Sequence, residues 1–509
     1  MKKHYFFYLF LFYGITGWAQ NTIRFAPQND TVIISRHIYG HFAEHLGRCI
    51  YDGIYVGESN TKIPNTNGVR NDIIAALRKL NIPNLRWPGG CFADTYHWKD
   101  GVGPKTERPE IVNMWWGGVT EDNSFGTHDF LNLCEVLGAE PYLAGNVGSG
   151  EVQELADWVQ YVNFEGTSPM SNMRRDNGRD KSWNVKFWGV GNEAWGCGGN
   201  MTADYYADVY RKYATFMSNW NDKELYRIAS GASGDDYNWT ETLMKKIPKN
   251  LVKGLALHYY TVVDWNNKGK ATNFTDEEYF NTMKASWFMN EQIEKHSEIM
   301  DKYDPKKEIA LVVDEWGAWY DTDPADNKGV LYQQNTMRDA IIAGMNLNIF
   351  NNHAERVKMA NLAQAVNVLQ AVILTDGEKM LLTPTYHVME MYKVHQDATL
   401  VPLEVNSANF TYKAESIPAV TASASIKDGK THISLVNVDN KVSQTITIPT
   451  NKKYKKVSGR ILTSKDMNDH NTFANPEIIK PEIFHDMKLK AEELTVKIPP
   501  FSVVVLEIE

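Results

Sequence analysis

Short apolar runs alternate with stretches of helical spacing through most of this chain. Runs rich in Val, Ile, Leu and Phe predict strands over His37–Phe42, Ile82–Arg86, Ala139–Asn146, Val185–Asn192, Arg227–Ser230, Gly254–Tyr260, Ile309–Glu315 and Val357–Gln364. Between them, Asp72–Leu80 carries Ile73, Ile74, Leu77 and Leu80 on one helical face, and Glu151–Val162 carries Val152, Leu155, Val159 and Val162. Tyr205–Trp220 and Asn335–Phe350 follow the same spacing. Eight strand–helix units predict an α/β fold of the (β/α)8 barrel type. A doubly wound sheet is the alternative, but no glycine-rich phosphate loop follows any of the strands.

From about Asp397 the helical spacing stops, and short alternating runs predict an all-β sandwich. They are Val420–Ile426, Thr431–Val438, Gln444–Ile448, Lys456–Leu462, Leu494–Ile498 and Ser502–Ile508, the first two joined by the hairpin turn Lys427-Asp428-Gly429. Near the start, Thr22–Phe25 and Thr31–Ile34 read as strands around a polar turn and are expected to join the same sandwich. The expected layout is N-terminal strands over 20–36, a barrel over 37–396 and a sandwich over 397–509.

At 509 residues the chain exceeds a typical single domain, which agrees with two units. A formal charge of −9 argues against nucleic acid or an anionic membrane as partner. Lys2 and Lys3, the apolar run Tyr5–Tyr13 and the small residues Gly17 and Ala19 predict a secretory leader over 1–19, cleaved before Gln20. An uncleaved anchor is the alternative, but the run is short of the ~20 residues a span needs. No Cys follows the cut, which argues against a lipid anchor. The four cysteines, Cys49, Cys91, Cys134 and Cys197, are too few for a disulfide scaffold and lack zinc-module spacing; one disulfide or free buried thiols both fit.

Two of the predicted strands end in acids. Val185–Asn192 runs into Glu193, and Ile309–Val313 into Asp314 and Glu315. Parallel α/β folds put their chemistry at the carboxyl ends of strands, and two carboxyl groups across one cleft suffice to cut a glycosidic bond. Trp188 and Trp195 flank Glu193, and a carboxyl held against aromatics stays protonated to higher pH, as an acid catalyst must. Strand alternation sends Asp314 and Glu315 to opposite faces, so only one is expected at the barrel mouth, and the strand alone favours neither decisively. Arg86 ends its strand where a guanidinium can orient a carboxylate or form a structural ion pair. His258, Tyr260 and Gln364 are polar residues at the ends of apolar runs. His41-Phe42-Ala43-Glu44-His45 matches the H-x-x-E-H zinc pattern, but zinc chemistry needs that pattern on a helix, and here a strand leads in between Gly40 and Gly47. On the strand reading, Glu44 joins Glu193 and Glu315 at one mouth.

These segments, in this order, resemble the α-L-arabinofuranosidases of glycoside hydrolase family 51. The likeness is carried by Ile38–Arg48, Leu85–Phe92, Trp188–Glu193, Leu257–Tyr260, Asp314–Trp316, Leu362–Asn367 and Pro499–Val503. It implies a retaining, exo-acting enzyme with Glu193 as acid/base and Glu315, rather than Asp314, as nucleophile. It further implies that Glu44, Asn192 and Gln364 bind furanose hydroxyls, that Arg86 and Tyr260 hold the nucleophile, and that Cys91 and His258 border the sugar. No cofactor or metal is implied. The implied partner is an arabinose-containing glycan, and homo-oligomers are common among relatives. Trp87 and Gly317 depart from the Tyr and Asn of many relatives, which bears on leaving-group preference. An endoglucanase or xylosidase on the same scaffold, or a binding protein without catalysis, are the alternatives.

Overall fold

The computed structural model describes residues 21–27, 32–323, 328–450 and 454–509. The leader expected at 1–19 lies outside the described residues. Eight parallel strands close into a barrel. In chain order they are β1 (Gly40–Phe42), β2 (Asn84–Trp87), β3 (Glu140–Gly145), β4 (Phe187–Val190), β5 (Tyr226–Ser233), β6 (Gly254–Thr261), β7 (Ala310–Ala318) and β8 (Val357–Ala363). β8 closes the ring on β1 through Asn361–Gly40, Leu362–His41 and Ala363–Phe42. The first strand is shorter than its apolar run predicts. Arg36–Tyr39 coil into a 3-10 turn, because the Ser35 side chain accepts from the His37 N–H and caps it.

The barrel is filled rather than hollow. Tyr142, Phe187, Ile228, Ala256, Ala310, Val312 and Met359 form an inner apolar layer from six of the strands. The long helix Asp276–Tyr303 starts at a capping box, with Thr275 and Glu278 exchanging side-chain bonds. The helix Met337–Asn352 has no polar face: all but its last residue are buried. It lies between the barrel and the C-terminal strands, and its amides bond across, Asn348 to Thr421 and Asn351 to Ser423, each at 3.1 Å. Burial on both sides explains the apolar spacing without amphipathicity.

The C-terminal region folds into a five-stranded and a six-stranded sheet around a core that includes Ile433, Leu435, Ile446, Val496 and Leu506. Asn21–Phe25 enters the five-stranded sheet, antiparallel to Leu403–Asn406 and parallel to Gln444–Pro449. Of the second N-terminal run, Thr31 lies outside the described residues, and Ile33 makes a single bridge to Thr399.

The expectation that Asp314 and Glu315 part to opposite faces requires correction. Asp314 points inward with Val312, two residues earlier, as alternation demands. The pairing of β7 with β8 then slips between Val313 and Trp316, and that of β6 with β7 slips between Ala256 and His258. Such irregularities re-aim side chains, and Glu315 swings to the mouth above Asp314 instead of out to the helices.

The opposite end of the barrel is held by ions. Arg356, before β8, donates to Asp304 at 2.9 Å and to the Ile309 carbonyl at 2.8 Å, with both side chains almost wholly buried. Arg356→Ala leaves Asp304 without this partner and is expected to cost about 3–5 kcal/mol in unfolding free energy. The KM of the remaining folded enzyme should be unchanged, measured by denaturant titration alongside kinetics.

Candidate active site

The strand-end acids named above converge on one cluster at the barrel mouth. Glu193 follows β4 with a φ of +40°, a left-handed conformation that non-glycine residues seldom adopt. This turn aims its carboxyl across the mouth. Its Oε1 lies 3.0 Å from His258 Nδ1, and its Oε2 lies 3.4 Å from Cys197 Sγ and 3.8 Å from Cys91 Sγ. Cys91 and Cys197 form a disulfide between the segments that follow β2 and β4; Cys49 and Cys134 are free and buried.

Glu315 is gripped on both oxygens. Arg86 donates to Oε1 and the Tyr260 hydroxyl to Oε2, each at 2.9 Å. Arg86 also donates to Asn192 Oδ1 at 2.6 Å, so one buried guanidinium ties the ends of β2, β4 and β7 together. A carboxylate oxygen of Glu193 and one of Glu315 lie within 4.8 Å of each other, with His258 Nδ1 3.0 Å from Glu193 Oε1 and 3.6 Å from Glu315 Oε1. Gly90 forms the floor: a Cβ there would sit 2.7 Å from Glu315 Oε1, 3.5 Å from Glu44 Oε1 and 3.6 Å from Asn192 Nδ2.

Glu44 closes the inner end. It accepts from Trp116 Nε1 at 2.9 Å, the Phe92 N–H at 3.2 Å and Gln364 Nε2 at 2.8 Å, while Gln364 Oε1 accepts from the Glu44 N–H at 3.2 Å. At the outer edge the Tyr260 ring meets Trp319 edge-on at 5.3 Å, and Trp319 meets the exposed Trp265 at 5.6 Å. Such rings suit the apolar faces of sugars.

The electrostatics separate the acids. Burial lifts the Glu193 carboxyl, and the charge of Glu315 adds to the lift. Burial, again with Glu315, raises Glu44 to about 7. Burial alone would lower His258, but Glu315 and Asp314 outweigh it and raise its imidazole to about 10. Burial would raise Asp314, yet Arg86 and His258 hold it below the ordinary range. Burial thus favours the proton on Glu193 and Glu44, while Arg86 and His258 favour the charge on Asp314, a separation of the kind that acid catalysis beside a nucleophile requires.

Residues 76–281 match the α-L-arabinofuranosidase 1 domain, and residues 314–502 match the α-L-arabinofuranosidase C-terminal domain. An intracellular exo-α-L-arabinofuranosidase of Bacteroides ovatus is 53% identical over 97% of both chains. The chain belongs to the α-L-arabinofuranosidases. The crystal structure of the family 51 arabinofuranosidase of Xanthomonas axonopodis pv. citri superposes with a TM-score of 0.93 at 46% identity, covering 96% of this chain and all of that one. The α-L-arabinofuranosidase of Thermotoga maritima, solved with arabinose, gives 0.84 at 31% identity, covering 96% and 99%.

In this arabinofuranosidase fold, Glu44, Arg86, Cys91, Asn192, Glu193, His258, Tyr260, Glu315 and Gln364 all line or support one pocket. Trp87 does not: it is fully buried, stacks on Phe130 at 5.0 Å and donates to His45 Nε2 at 3.1 Å, so its departure from the family pattern touches no ligand. The H-x-x-E-H match lies on β1 and the turn after it. His45 bonds Trp87 and lies beside Glu121, whereas Glu44 bonds Trp116 and Gln364, and among the described residues no cluster of metal-ligating side chains includes His41 or His45. Sequence reasoning missed Trp116, Cys197 and Asp94. Asp94 accepts from the Val147 and Gly148 N–H groups at 2.8 Å and from the Asn192 N–H at 3.0 Å, fixing the turn that carries Glu193. An acid four residues past Gly90, after the apolar run Cys91-Phe92-Ala93, was the available signal.

Gly90→Ala is expected to fold but to displace Glu315. A misplacement of about 1 Å lowers kcat/KM by about a hundredfold, which steady-state assays on an aryl arabinofuranoside would read.

Proposed function

We infer that the protein is an exo-acting, retaining α-L-arabinofuranosidase. The observation that carries this is the pairing of Glu193 and Glu315, with carboxylate oxygens within 4.8 Å across one pocket and in opposite electrostatic settings. Retaining glycosidases hold their two carboxyl groups ~5–5.5 Å apart, whereas inverting ones leave room for a water between them.

Glu315, oriented by Arg86 and Tyr260 on its two oxygens, attacks the anomeric carbon of a terminal arabinofuranosyl unit. Glu193 gives its proton to the departing oxygen as the glycosidic bond breaks and the glycosyl ester forms. Glu193 then takes a proton from water, whose oxygen displaces Glu315 with configuration retained. Asn192, Glu44 and Gln364 bind the furanose hydroxyls, and the disulfide Cys91–Cys197 borders the ring. The blind inner end made by Glu44 and Gln364 supports release of single terminal units. Trp319 and Trp265 extend outward where the remainder of an arabinan or arabinoxylan chain would run.

Two variants test the roles. Glu315→Ala should lose at least about a thousandfold in turnover with its fold intact. Glu193→Ala should slow poor leaving groups by about a hundred- to ten-thousandfold and spare activated aryl glycosides, since only the former need the proton. Equal losses on both would remove Glu193 from the acid role. Arabino-, cello- and xylo-oligosaccharides compared under one condition, with the anomer released followed by NMR, test substrate and stereochemistry together.

We further propose that the chain is exported. The leader-like residues 1–19 support this, and a disulfide beside the pocket suits an oxidising compartment, although the Bacteroides ovatus relative carries the name intracellular. N-terminal sequencing of the enzyme from a secreting host should begin at Gln20; a mature chain that keeps Met1 would sink the idea.

A further inference from the structure

Asp314 is a buried acid next to the nucleophile that touches no glycan in the mechanism above. Its side chain is 2% exposed. Oδ2 accepts from the Tyr142 hydroxyl at 2.6 Å and lies 3.7 Å from Arg86 Nε. Oδ1 lies 3.1 Å from His258 Nε2, off the line of a straight hydrogen bond, so the contact is an ion pair first. The other ring nitrogen, Nδ1, is 3.0 Å from Glu193 Oε1 and 3.6 Å from Glu315 Oε1. A chain of contacts therefore runs from Tyr142 on β3 through Asp314 and His258 to the acid/base.

The groups facing His258 are Glu193 after β4 and Asp314 and Glu315 on β7, with Arg86 of β2 behind the two β7 acids and Tyr260 beside it on β6. Three acids face the ring, and the nearest cation, Arg86, already bonds Glu315 and lies 3.7 Å from the Asp314 carboxylate. Charge on the imidazole then decides where the Glu193 proton sits. With both ring nitrogens protonated, Nδ1–H donates to Glu193 Oε1, and the proton of Glu193 is confined to Oε2, beside the disulfide. With a neutral ring protonated at Nε2, Nδ1 becomes an acceptor and draws the Glu193 proton onto Oε1, away from the leaving group.

We propose that Asp314 is a positioning residue that acts through His258, holding the imidazole as a cation so that Glu193 keeps its transferable proton on Oε2. The proposal rests on Glu193 being the acid/base. His258 gains and loses no proton over the cycle: the proton passes from Glu193 to the leaving oxygen in the first step and from water to Glu193 in the second. The imidazolium also faces the carboxylate that Glu193 becomes between those steps.

The test is Asp314→Asn, which keeps size and the Tyr142 contact but removes the charge. His258 then loses its proton within the assay range, so the variant's deficit grows as pH rises. We expect near-normal rates at about pH 5 and a loss of about a hundredfold at about pH 8 on a poor leaving group, with KM little changed and a much smaller loss on a dinitrophenyl glycoside. A loss equal at every pH and for both leaving groups is what a merely structural role gives, and it overturns the proposal. 15N-histidine NMR of the wild-type enzyme, with the signal assigned by His258→Gln, reads the same claim without any Asp314 variant. Both ring nitrogens should report the cation at about pH 7; a neutral ring overturns the proposal even if Asp314→Asn does not fold. The NMR outcome stands whether or not the glycosidase assignment does, so the two failures are distinguishable.

Discussion

One guanidinium makes this site possible. Arg86 is 1% exposed, lies 4.4 Å above the Phe42 ring and bonds Glu315, Asn192 and the Asp314 backbone at once. Four acids, Glu44, Glu193, Asp314 and Glu315, crowd the end of the barrel, and bare carboxylates at such depth would cost many kcal/mol. Arg86 and the His258 imidazolium compensate two of them. The other two, Glu44 and Glu193, are lifted by burial and remain protonated to higher pH. The division of labour follows from unequal compensation: Arg86 and His258 together hold Asp314 below the ordinary carboxylate range, whereas burial and the charge of Glu315 lift Glu193 despite its contact with His258.

The whole chain, and not the barrel alone, is shared with the arabinofuranosidases. Relatives across nearly the full chain share the arabinofuranosidase name, and the barrel superposes on solved members together with its sandwich. The fold alone would not fix the chemistry, since barrels host many reactions.

Most of the barrel was legible because its strands are buried on both faces and read as unbroken apolar runs ending in polar residues. Glu193, Glu315, Arg86 and Gln364 stood out for that reason. Two kinds of information were not legible. The first is irregular pairing: no feature of Val312–Trp316 announces the slip that brings Asp314 and Glu315 into the same interior, so alternation misled. The second is distance along the chain. Cys91 and Cys197 are separated by 106 residues, and nothing at either position signals the other. Asp94 was passed over similarly, because its partners are backbone N–H groups, which leave no mark in a sequence.

The strand Asn21–Phe25 sits inside the five-stranded sheet, between segments nearly 400 positions downstream. Its neighbours, Leu403–Asn406 and Gln444–Pro449, emerge late from the ribosome. The opening residues must stay unpaired during most of synthesis and dock only when the tail has arrived. Asn21–Phe25 thus completes the five-stranded sheet, whereas the last strand, Ser502–Ile508, belongs to the six-stranded one, and a fusion joined directly before Asn21 would press on the distal module rather than on the catalytic one.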